Sequence, residues 1–319
     1  MSDEYEVKYG DIVVRMAIDS EWVSNVVGGE GWQNPYIYIY NARYAVLIGG
    51  DIYAEKEGEY RKVPFYWNDI KSMYDMLLSK NWIVENIYIL FYNGLNHEGL
   101  NPDGIIDYAA TEKNFTLVIN TLKNQSTIND LFLFAITSHG NSRMVSVNNG
   151  MYDEIGSPLS FSLYYGYKSP IENDISKLKL VRCARSVVTV ESCYSGGLIR
   201  NRDEDGYTVH TPLMGPNVII ITSSRIDRKS WSTSDYNHKV FLHGFITGLG
   251  GETNIKNAFD NGKSATLSSD VPDARIQYPQ LDDDGDCLTE QNNDPALEPS
   301  GMYIPGTYND GIKSSQTYI

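Results

Sequence analysis

Five short runs of apolar residues divide the chain. They are Tyr44–Ile48 (YAVLI), Ile87–Phe91 (IYILF), Leu131–Ile136 (LFLFAI), Val187–Val190 (VVTV) and Val218–Ile221 (VIII). Each run is nearly continuous and does not alternate with polar residues, which is typical of parallel strands that are buried on both faces. We therefore predict that the five segments are strands of one central, mostly parallel sheet.

Helical patterns lie between the predicted strands. Apolar side chains recur at helical spacing in Trp67–Leu78, in Thr111–Leu122 and in Lys239–Leu249. Strands that alternate with helices favour right-handed crossovers, which place helices on both faces of the sheet. The pattern predicts an α/β fold with a doubly wound sheet.

The remaining segments show no strong periodicity and no clean linker. We predict an N-terminal arm over residues 1–40, one α/β domain over residues 41–270, and an irregular acidic extension over residues 271–319 that packs on the domain. Long segments rich in Gly, Ser, Asn and Asp follow two of the strands, at residues 141–180 and 200–216. Loops at the carboxyl ends of parallel strands are typical of a substrate cleft.

Charge and composition narrow the classes of partner. The 319 residues include 26 Lys and Arg against 41 Asp and Glu, a formal net charge of −15 that disfavours a nucleic-acid partner. No apolar run approaches the ~18 residues of a membrane span, and the polar start MSDEYEVKYG lacks the apolar core of a signal peptide. We expect a chain that is cytoplasmic, or secreted with its signal removed. The three cysteines and five histidines are too sparse for a disulfide framework or a zinc site.

A histidine follows the third predicted strand. In LFLFAITSHG the buried run ends in Ser-His-Gly, so His139 is held by a rigid strand and yet reaches the edge of the sheet. That placement suits a residue that transfers protons near neutral pH. The alternative is a histidine that only caps the end of the strand through one ring nitrogen.

A cysteine follows the next predicted strand in the same way. In SVVTVESCYSGG the apolar run leads into Cys193, where a thiol can be exposed and its backbone N–H can stabilise an oxyanion. The alternative is a small buried cysteine beneath the loop, which is how most free cysteines behave. The interval between His139 and Cys193 is long enough for one crossover between neighbouring strands.

Together, the two segments resemble the active-site motifs of a known clan. Ser-His-Gly at residues 138–140 and Glu-Ser-Cys-Tyr-Ser-Gly at residues 191–196 are similar to motifs of the caspase–haemoglobinase clan, above all of legumain-type cysteine peptidases. The resemblance extends over about residues 44–250. It implies a caspase-like fold and a cysteine endopeptidase that acts on peptide or protein substrates and requires no cofactor for catalysis.

The resemblance also assigns roles to particular residues. It makes Cys193 the nucleophile, His139 the general base, and the backbone N–H groups of Gly140 and Cys193 the oxyanion hole. Glu191 and Ser195, which lie in the cysteine motif, are expected to shape the substrate pocket.

Two aspartates complete the expected substrate site. Asp235 lies where legumains place an acidic residue of the primary specificity pocket, which favours a basic residue or asparagine before the cleaved bond. Asp51 is the polar residue nearest to the position at which legumains carry an asparagine that orients the histidine. Phe65 stands where legumains use an arginine for substrate asparagine, so we do not expect strict asparagine specificity.

Other functions fit the same motifs. A peptide ligase or transpeptidase forms the same acyl-enzyme and resolves it with an amine, whereas an interaction scaffold would keep the fold without catalysis. The polar segment Arg200–Pro212 is a candidate for self-processing, because exposed polar loops are preferred cleavage sites. The alternative for this segment is a solvated loop.

An acidic segment near the C-terminus resembles half of a calcium loop. LDDDGDCLTE carries Asp282, Asp284 and Asp286 at alternating positions, with Gly285 among them. Carboxylate oxygens suit Ca²⁺ better than a transition metal, although the full EF-hand spacing is missing. The segment is therefore a candidate for a structural calcium site, and the alternative is a solvated acidic turn.

Overall fold

The computed structural model describes the greater part of the chain. The described residues are 3–9, 12–18, 40–50, 53–56, 59–94, 104–141, 143–152, 158–164, 174–202, 208–210, 213, 215, 217–251, 253–283 and 312–319. The chain divides into two compact units, Met1–Ile37 and Tyr38–Ile319. In the first unit, β1 (Asp3–Tyr9) and β2 (Ile12–Ile18) pair antiparallel.

The second unit is built around a six-stranded sheet. In chain order, the strands of the whole unit are β3 (Arg43–Gly49), β4 (Tyr53–Lys56), β5 (Glu59–Lys62), β6 (Ile87–Phe91), β7 (Leu131–Thr137), β8 (His139–Asn141), β9 (Met144–Tyr152), β10 (Pro158–Tyr164), β11 (Arg185–Glu191), β12 (Arg200–Arg202), β13 (Thr208–His210), β14 (Val218–Thr222) and β15 (Gln280–Asp282). The central sheet has the order β15-β14-β11-β7-β3-β6, and every neighbouring pair in it is parallel except β14 with β15. The unit is therefore an α/β fold with a mixed, mostly parallel sheet.

The remaining strands form small antiparallel sheets. They pair as β4 with β5, as β8 with β9 and β10, and as β12 with β13. Of these, β8 matters most for the site, because it begins two residues after β7 ends and carries the histidine of the first motif.

All five strands predicted from apolar runs are confirmed. They correspond to β3, β6, β7, β11 and β14, which are the parallel strands of the sheet. The sequence pattern does not predict β15, because three residues are too few to show a hydrophobic period. This strand lies in the predicted extension over residues 271–319 and forms one edge of the sheet.

The helices are α1 (Phe65–Ser79), α2 (Glu112–Gln125), α3 (Val240–Gly250), α4 (Ile255–Leu267) and α5 (Ile312–Ser315). Short 3-10 helices lie at Val84–Asn86, Asp174–Leu180, Ser195–Leu198 and Pro272–Ile276. The three predicted helices are confirmed as α1, α2 and α3. Helix α2 begins where the Thr111 hydroxyl accepts a hydrogen bond from Asn114 N at 3.2 Å, which satisfies a backbone N–H that the helix itself cannot.

Side chains of the sheet alternate between two hydrophobic clusters. On β3, the buried Ala45 and Leu47 belong to one cluster, and the buried Val46 and Ile48 belong to the other. Helices α1, α3 and α4 contribute to the first cluster, and α2 contributes to the second. Helices therefore cover both faces of the sheet, and the loops at the carboxyl ends of its strands are left to form a site.

Candidate active site

The histidine turn follows directly from the end of β7. Thr137 ends the strand, and Ser138 N donates a hydrogen bond to Glu191 O of β11 at 3.1 Å. The buried Ser138 hydroxyl donates to Ser146 O of β9 at 2.5 Å. Because Ser138 is held on both sides, the position of His139 is set by two strands and not by a loose loop.

An aromatic side chain from α1 packs against the imidazole. The rings of His139 and Tyr66 make a T-shaped contact with centroids 5.7 Å apart and an interplanar angle of 74°. Tyr66 is only 2% exposed, so it forms a rigid wall that restricts the tilt of the half-buried imidazole. The sequence reasoning did not identify Tyr66. Asp51, the residue predicted to lie near the histidine, is outside the described residues.

The cysteine turn follows the end of β11. Cys193 comes two residues after Glu191, is half-buried, and lies with its Sγ 3.7 Å from Ser230 O, to which the thiol can donate. The next residue, Tyr194, has a φ of 60°, and its N donates to Arg228 O at 2.7 Å. A left-handed conformation at a bulky residue is uncommon and persists where neighbours enforce it, as at sharp functional turns.

The two turns lie in contact. Thr137 and Glu191 are paired in the parallel register of β7 and β11, so both strands end at the same level. Beyond them, a Cβ atom on Gly140 would lie 2.6 Å from Ser192 Oγ. Only a glycine allows so close an approach, because any side chain would collide with the serine. The backbone after the histidine therefore packs directly on the residue before the cysteine.

Both candidate catalytic side chains lie over the same face of the sheet. His139 contacts Tyr66 of α1, and Cys193 contacts Ser230, whose carbonyl also accepts from Lys239 immediately before α3. Helices α1 and α3 pack in one hydrophobic cluster on one face of the sheet. The structure therefore brings the predicted nucleophile and the predicted base to one side of one edge.

A cluster of buried serines supports the cysteine turn. Ser192, Ser195, Ser223 and Ser224 are each 0% exposed. Ser224 Oγ donates to Ser192 O at 2.9 Å, Ser192 N donates to Ser223 Oγ at 3.2 Å, and Ser195 N donates to Ser224 Oγ at 3.2 Å. Ser195, predicted to shape the substrate pocket, thus lies beneath the turn. The sequence signal for Ser223 and Ser224 was available, since they directly follow the strand β14.

Glu191 is a fully buried carboxylate beneath the cysteine. One carboxylate oxygen accepts from the Ser230 hydroxyl, and the other accepts from Leu242 N in the first turn of α3 at 3.1 Å. Burial raises the pKa of Glu191, and the positive charge of Lys239 opposes that rise. Glu191 therefore ties the cysteine strand to Ser230 and to the start of α3, and its predicted contact with a substrate stays a prediction.

A second polar cluster joins α1 to the segment before α3. Asp69 of α1 is fully buried, its Oδ1 lies 2.8 Å from His238 Nδ1, and its Oδ2 accepts from Lys239 N at 3.1 Å. Burial raises the pKa of Asp69 to about 7, while the hydrogen bond from His238 acts in the opposite direction. His243 stacks on His238 with centroids 4.2 Å apart, and burial lowers the pKa of His243. The sequence reasoning missed this cluster because Asp69 reads as an ordinary helix residue.

Asp235 lies at the exposed tip of the loop between Ser232 and Lys239. It accepts hydrogen bonds from Thr233 Oγ1 at 2.5 Å and from Asn237 N at 3.0 Å. The Thr233 hydrogen bond is the main reason that the pKa of Asp235 is lowered to about 2. Asp235 is therefore an anion that caps its own loop, and its predicted role in a specificity pocket stays a prediction.

A cleft of about 220 Å³ is lined in part by residues that neighbour Cys193 and Ser230 in the chain. It is lined by Tyr194, Asp227, Arg228, Lys229, Trp231, Asp273 and Ile276. Tyr194 follows Cys193 directly, and Ser230, the residue that contacts the sulfur, lies between two of the lining residues. Neither Cys193 nor His139 lines the cleft, whose walls combine aromatic and aliphatic surface with charges of both signs.

The second described thiol is a poor nucleophile. Cys183 and Cys193 are both free thiols, and Cys287 lies outside the described residues. Burial, reinforced by the nearby Asp130 carboxylate, raises the pKa of Cys183 to about 11. Because the thiolate is the nucleophilic form, burial disfavours Cys183 as a nucleophile.

The predicted calcium ligands are described only in part. Asp282 is 1% exposed and is paired with Ile220 across β15 and β14, whereas Asp284 and Asp286 lie outside the described residues. Within the described ranges, no group of three or more His, Cys, Asp or Glu side chains is arranged to hold a metal ion. The calcium site stays a prediction.

Comparisons with known proteins do not assign the chain to a family. No protein-family model matches the chain, and no curated protein matches it. Across the described segments, none of the helices is long and apolar enough to cross a membrane.

Proposed function

We propose that this chain is a cysteine endopeptidase with a doubly wound, caspase-like domain, in which Cys193 is the nucleophile and His139 is the general base. The main support is the contact between the two turns, because Gly140 packs on Ser192 at the carboxyl edge of neighbouring parallel strands. The buried residues that hold both turns in place also support the proposal, since catalytic groups must be held rigidly.

The chemistry follows from the residue types and their placement. His139 takes the proton of the Cys193 thiol, and the sulfur attacks the scissile carbonyl carbon. The backbone N–H groups of Gly140 and Cys193 are the candidates to bind the oxyanion, because they belong to the two turns that meet. His139 then protonates the leaving amine, and water hydrolyses the thioester to release the acid and restore the thiol.

The substrate is proposed to be an extended peptide that binds along the segment that contains Ser230 and Trp231. The segment that includes Ser230 contacts the sulfur, and the neighbouring Trp231 lines the cleft. Trp231 offers an aromatic face to a large apolar side chain of the peptide. A basic residue or asparagine before the cleaved bond remains the proposed preference, on the basis of Asp235 and the family resemblance.

A positional peptide library tests the proposed function. We expect cleavage by the wild type, none by Cys193→Ala, and wild-type rates for Cys183→Ala, the matched loss of the other described thiol. Equal cleavage by wild type and Cys193→Ala would refute the assignment. Strong preference for aspartate before the scissile bond would refute the Asp235 pocket while leaving the peptidase intact.

The same assay separates the two alternative activities. With an added amine nucleophile, a ligase or transpeptidase forms an amide product in place of the free acid. An inert scaffold gives neither product, and its Cys193 reacts with a thiol probe no faster than free cysteine.

Self-processing is proposed at the segment after the nucleophile. Strands β12 and β13 pair antiparallel on either side of residues 203–207, within the polar run Arg200–Pro212. Intact-mass analysis is expected to show two fragments in the wild type and a single intact chain in Cys193→Ala. An intact chain in both would contradict self-processing.

A further inference from the structure

A buried lysine shares its acceptor with the candidate nucleophile. Lys239 is only 6% exposed, and its Nζ donates to Ser230 O at 3.2 Å. The sulfur of Cys193 lies 3.7 Å from the same oxygen. One carbonyl therefore accepts from both the ammonium and the thiol, so that the two donors are neighbours.

Residues of helix α1 contact Lys239 at its backbone and at the end of its side chain. Its backbone N donates to the buried Asp69 carboxylate at 3.1 Å, and its Nζ lies 5.4 Å from the centroid of the Phe65 ring. A cation over an aromatic face is attracted by the ring quadrupole. The ammonium therefore has a defined position, although it stands at the end of a flexible side chain.

The charges that face Lys239 come from several elements. Glu191 of β11 supplies the opposing carboxylate, Asp69 of α1 lies at the backbone end, and His238 is the preceding residue in the chain. An ammonium inside a protein is costly unless it is paired and hydrogen-bonded. Lys239 has the Ser230 carbonyl as its acceptor, and the Glu191 carboxyl is near enough for its charge to favour the ammonium.

Ser230 is thereby clamped on two sides. Its hydroxyl donates to Glu191, and its carbonyl accepts from Lys239. The peptide plane that carries this carbonyl cannot rotate without breaking contact with the ammonium. Since the Cys193 thiol has this carbonyl as its acceptor, the clamp restricts the rotamer of the thiol as well.

We propose that Lys239 is a positioning residue for Cys193: it holds the Ser230 carbonyl, and the carbonyl holds the thiol in one rotamer until His139 takes the thiol proton and the sulfur attacks. The effect on turnover rests on the proposed peptidase function. The effect on the thiol does not, because alkylation by a small electrophile reports the thiolate fraction and the exposure of Cys193 without a substrate.

Alkylation of Cys193 by iodoacetamide tests the proposal without a substrate. In a Cys183→Ser/Cys287→Ser background, intact mass reports one thiol. We expect Lys239→Met to lower the alkylation rate at pH 7 by about tenfold, because both the held rotamer and the positive charge near the sulfur are lost. The matched control is Lys256→Met, which removes another lysine that has a carboxylate partner and an aromatic neighbour, Asp260 and Phe259, and is expected to react at the wild-type rate.

Two further measurements guard against a merely structural effect. Lys239→Met leaves Glu191 without its counter-charge, so Lys239→Arg is measured beside it, because it keeps the charge and moves the donor atoms. We expect both variants to keep the wild-type circular dichroism and KM, and to lose kcat. If Lys239→Met does not fold, Lys239→Arg carries the test, with alkylation at least threefold slower than in the wild type.

The outcomes separate the two proposals. Wild-type alkylation of Cys193 in a folded Lys239→Met or Lys239→Arg variant overturns the positioning role, whatever the enzyme does. Slow alkylation in these variants together with no peptide cleavage by the wild type supports the positioning role and overturns the peptidase.

Discussion

Gly140 lies directly against Ser192, since a Cβ atom at position 140 would stand 2.6 Å from Ser192 Oγ. Gly140→Ala must therefore push the histidine and cysteine turns apart. We expect a loss of about 1–3 kcal/mol in the free energy of unfolding, which is typical of overpacking. We also expect kcat/KM to fall by on the order of 100-fold, because an oxyanion donor would be displaced.

Gly250→Ala is the matched control for this change. A Cβ atom at Gly250, the last residue of α3, would meet no heavy atom within 4 Å. Urea unfolding and peptide cleavage should both stay near wild type in this variant. Equal behaviour of the two glycine variants would contradict the close contact at Gly140.

Tyr66 is expected to orient the imidazole. Tyr66→Leu keeps an apolar side chain in α1 but removes the ring that packs on His139. Tyr74→Leu makes the same change elsewhere in the same helix, at a residue that is also buried. Both should lose about 2 kcal/mol of stability in urea unfolding, as buried large-to-small changes do.

Only the change next to the histidine should affect turnover. We expect Tyr66→Leu to lower kcat by about 10- to 100-fold, which is the range for a slightly misplaced catalytic group. Steady-state kinetics of Tyr66→Leu and Tyr74→Leu test this prediction. Equal kcat values would argue against an orienting role for Tyr66.

Ser230 supplies a hydrogen bond that Glu191 needs. Ser230→Ala removes the hydroxyl that donates to this fully buried carboxylate. An under-satisfied buried acceptor costs about 1–3 kcal/mol, so we expect a loss of that size in urea unfolding. Ser232→Ala, two residues further along the chain, should change the free energy of unfolding by less than about 0.5 kcal/mol. A loss of similar size in both variants would speak against the specific bond.

Asp69 is expected to make stability depend on pH. Its carboxyl has a pKa of about 7 in the folded chain, raised from 3.8 chiefly by burial. The folded chain therefore binds this proton more tightly than the unfolded chain. By linkage, the stability that Asp69 contributes is fully present below about pH 4 and is lost as the pH rises through about 7.

Asp69→Asn removes this titration. The free energy of unfolding of the wild type, relative to the variant, should fall by on the order of a few kcal/mol between pH 4 and pH 8. Asp75→Asn, on the exposed side of the same helix, is the control, because Asp75 is paired with Lys71 at the surface. A constant difference between wild type and Asp69→Asn across this range would sink the prediction.

The acidic segment gives a prediction about calcium. If Asp282, Asp284 and Asp286 hold a structural ion, Tm should be higher in calcium than in a chelator, because a ligand that binds the folded state stabilises it. Asp284→Asn/Asp286→Asn should lose this shift. Calorimetry that finds the same Tm in both buffers would exclude a stabilising site.

The fold was largely predictable because its signal is local. Buried parallel strands must be apolar on both faces, so β3, β6, β7, β11 and β14 appear as continuous runs in the sequence. The short β15 carries no such signal, since its place in the sheet depends on pairing with β14. Helices α1, α2 and α3 were predictable for the same local reason and differ from the prediction only at their ends, whereas α4 and α5 were not predicted.

The candidate catalytic residues were predictable in part. His139 and Cys193 stand out because polar residues follow abruptly on buried strands. Their supports do not stand out, because Tyr66 and Asp69 look like ordinary residues of an amphipathic helix. Glu191 and Ser195 were recognised as parts of the site, yet both are fully buried and act on the turn from below.

The sequence by itself determined the five parallel strands of the sheet and the two turns that carry a thiol and an imidazole, because hydrophobic period and the residues at strand ends can be read from consecutive positions. Only the tertiary structure decided that Lys239 contacts both Asp69 and Ser230, and that the Ser230 carbonyl lies against the Cys193 thiol. Asp69 lies 170 residues from Lys239 in the chain, and Cys193 lies 37 residues from Ser230, so only long-range packing brings these residues together.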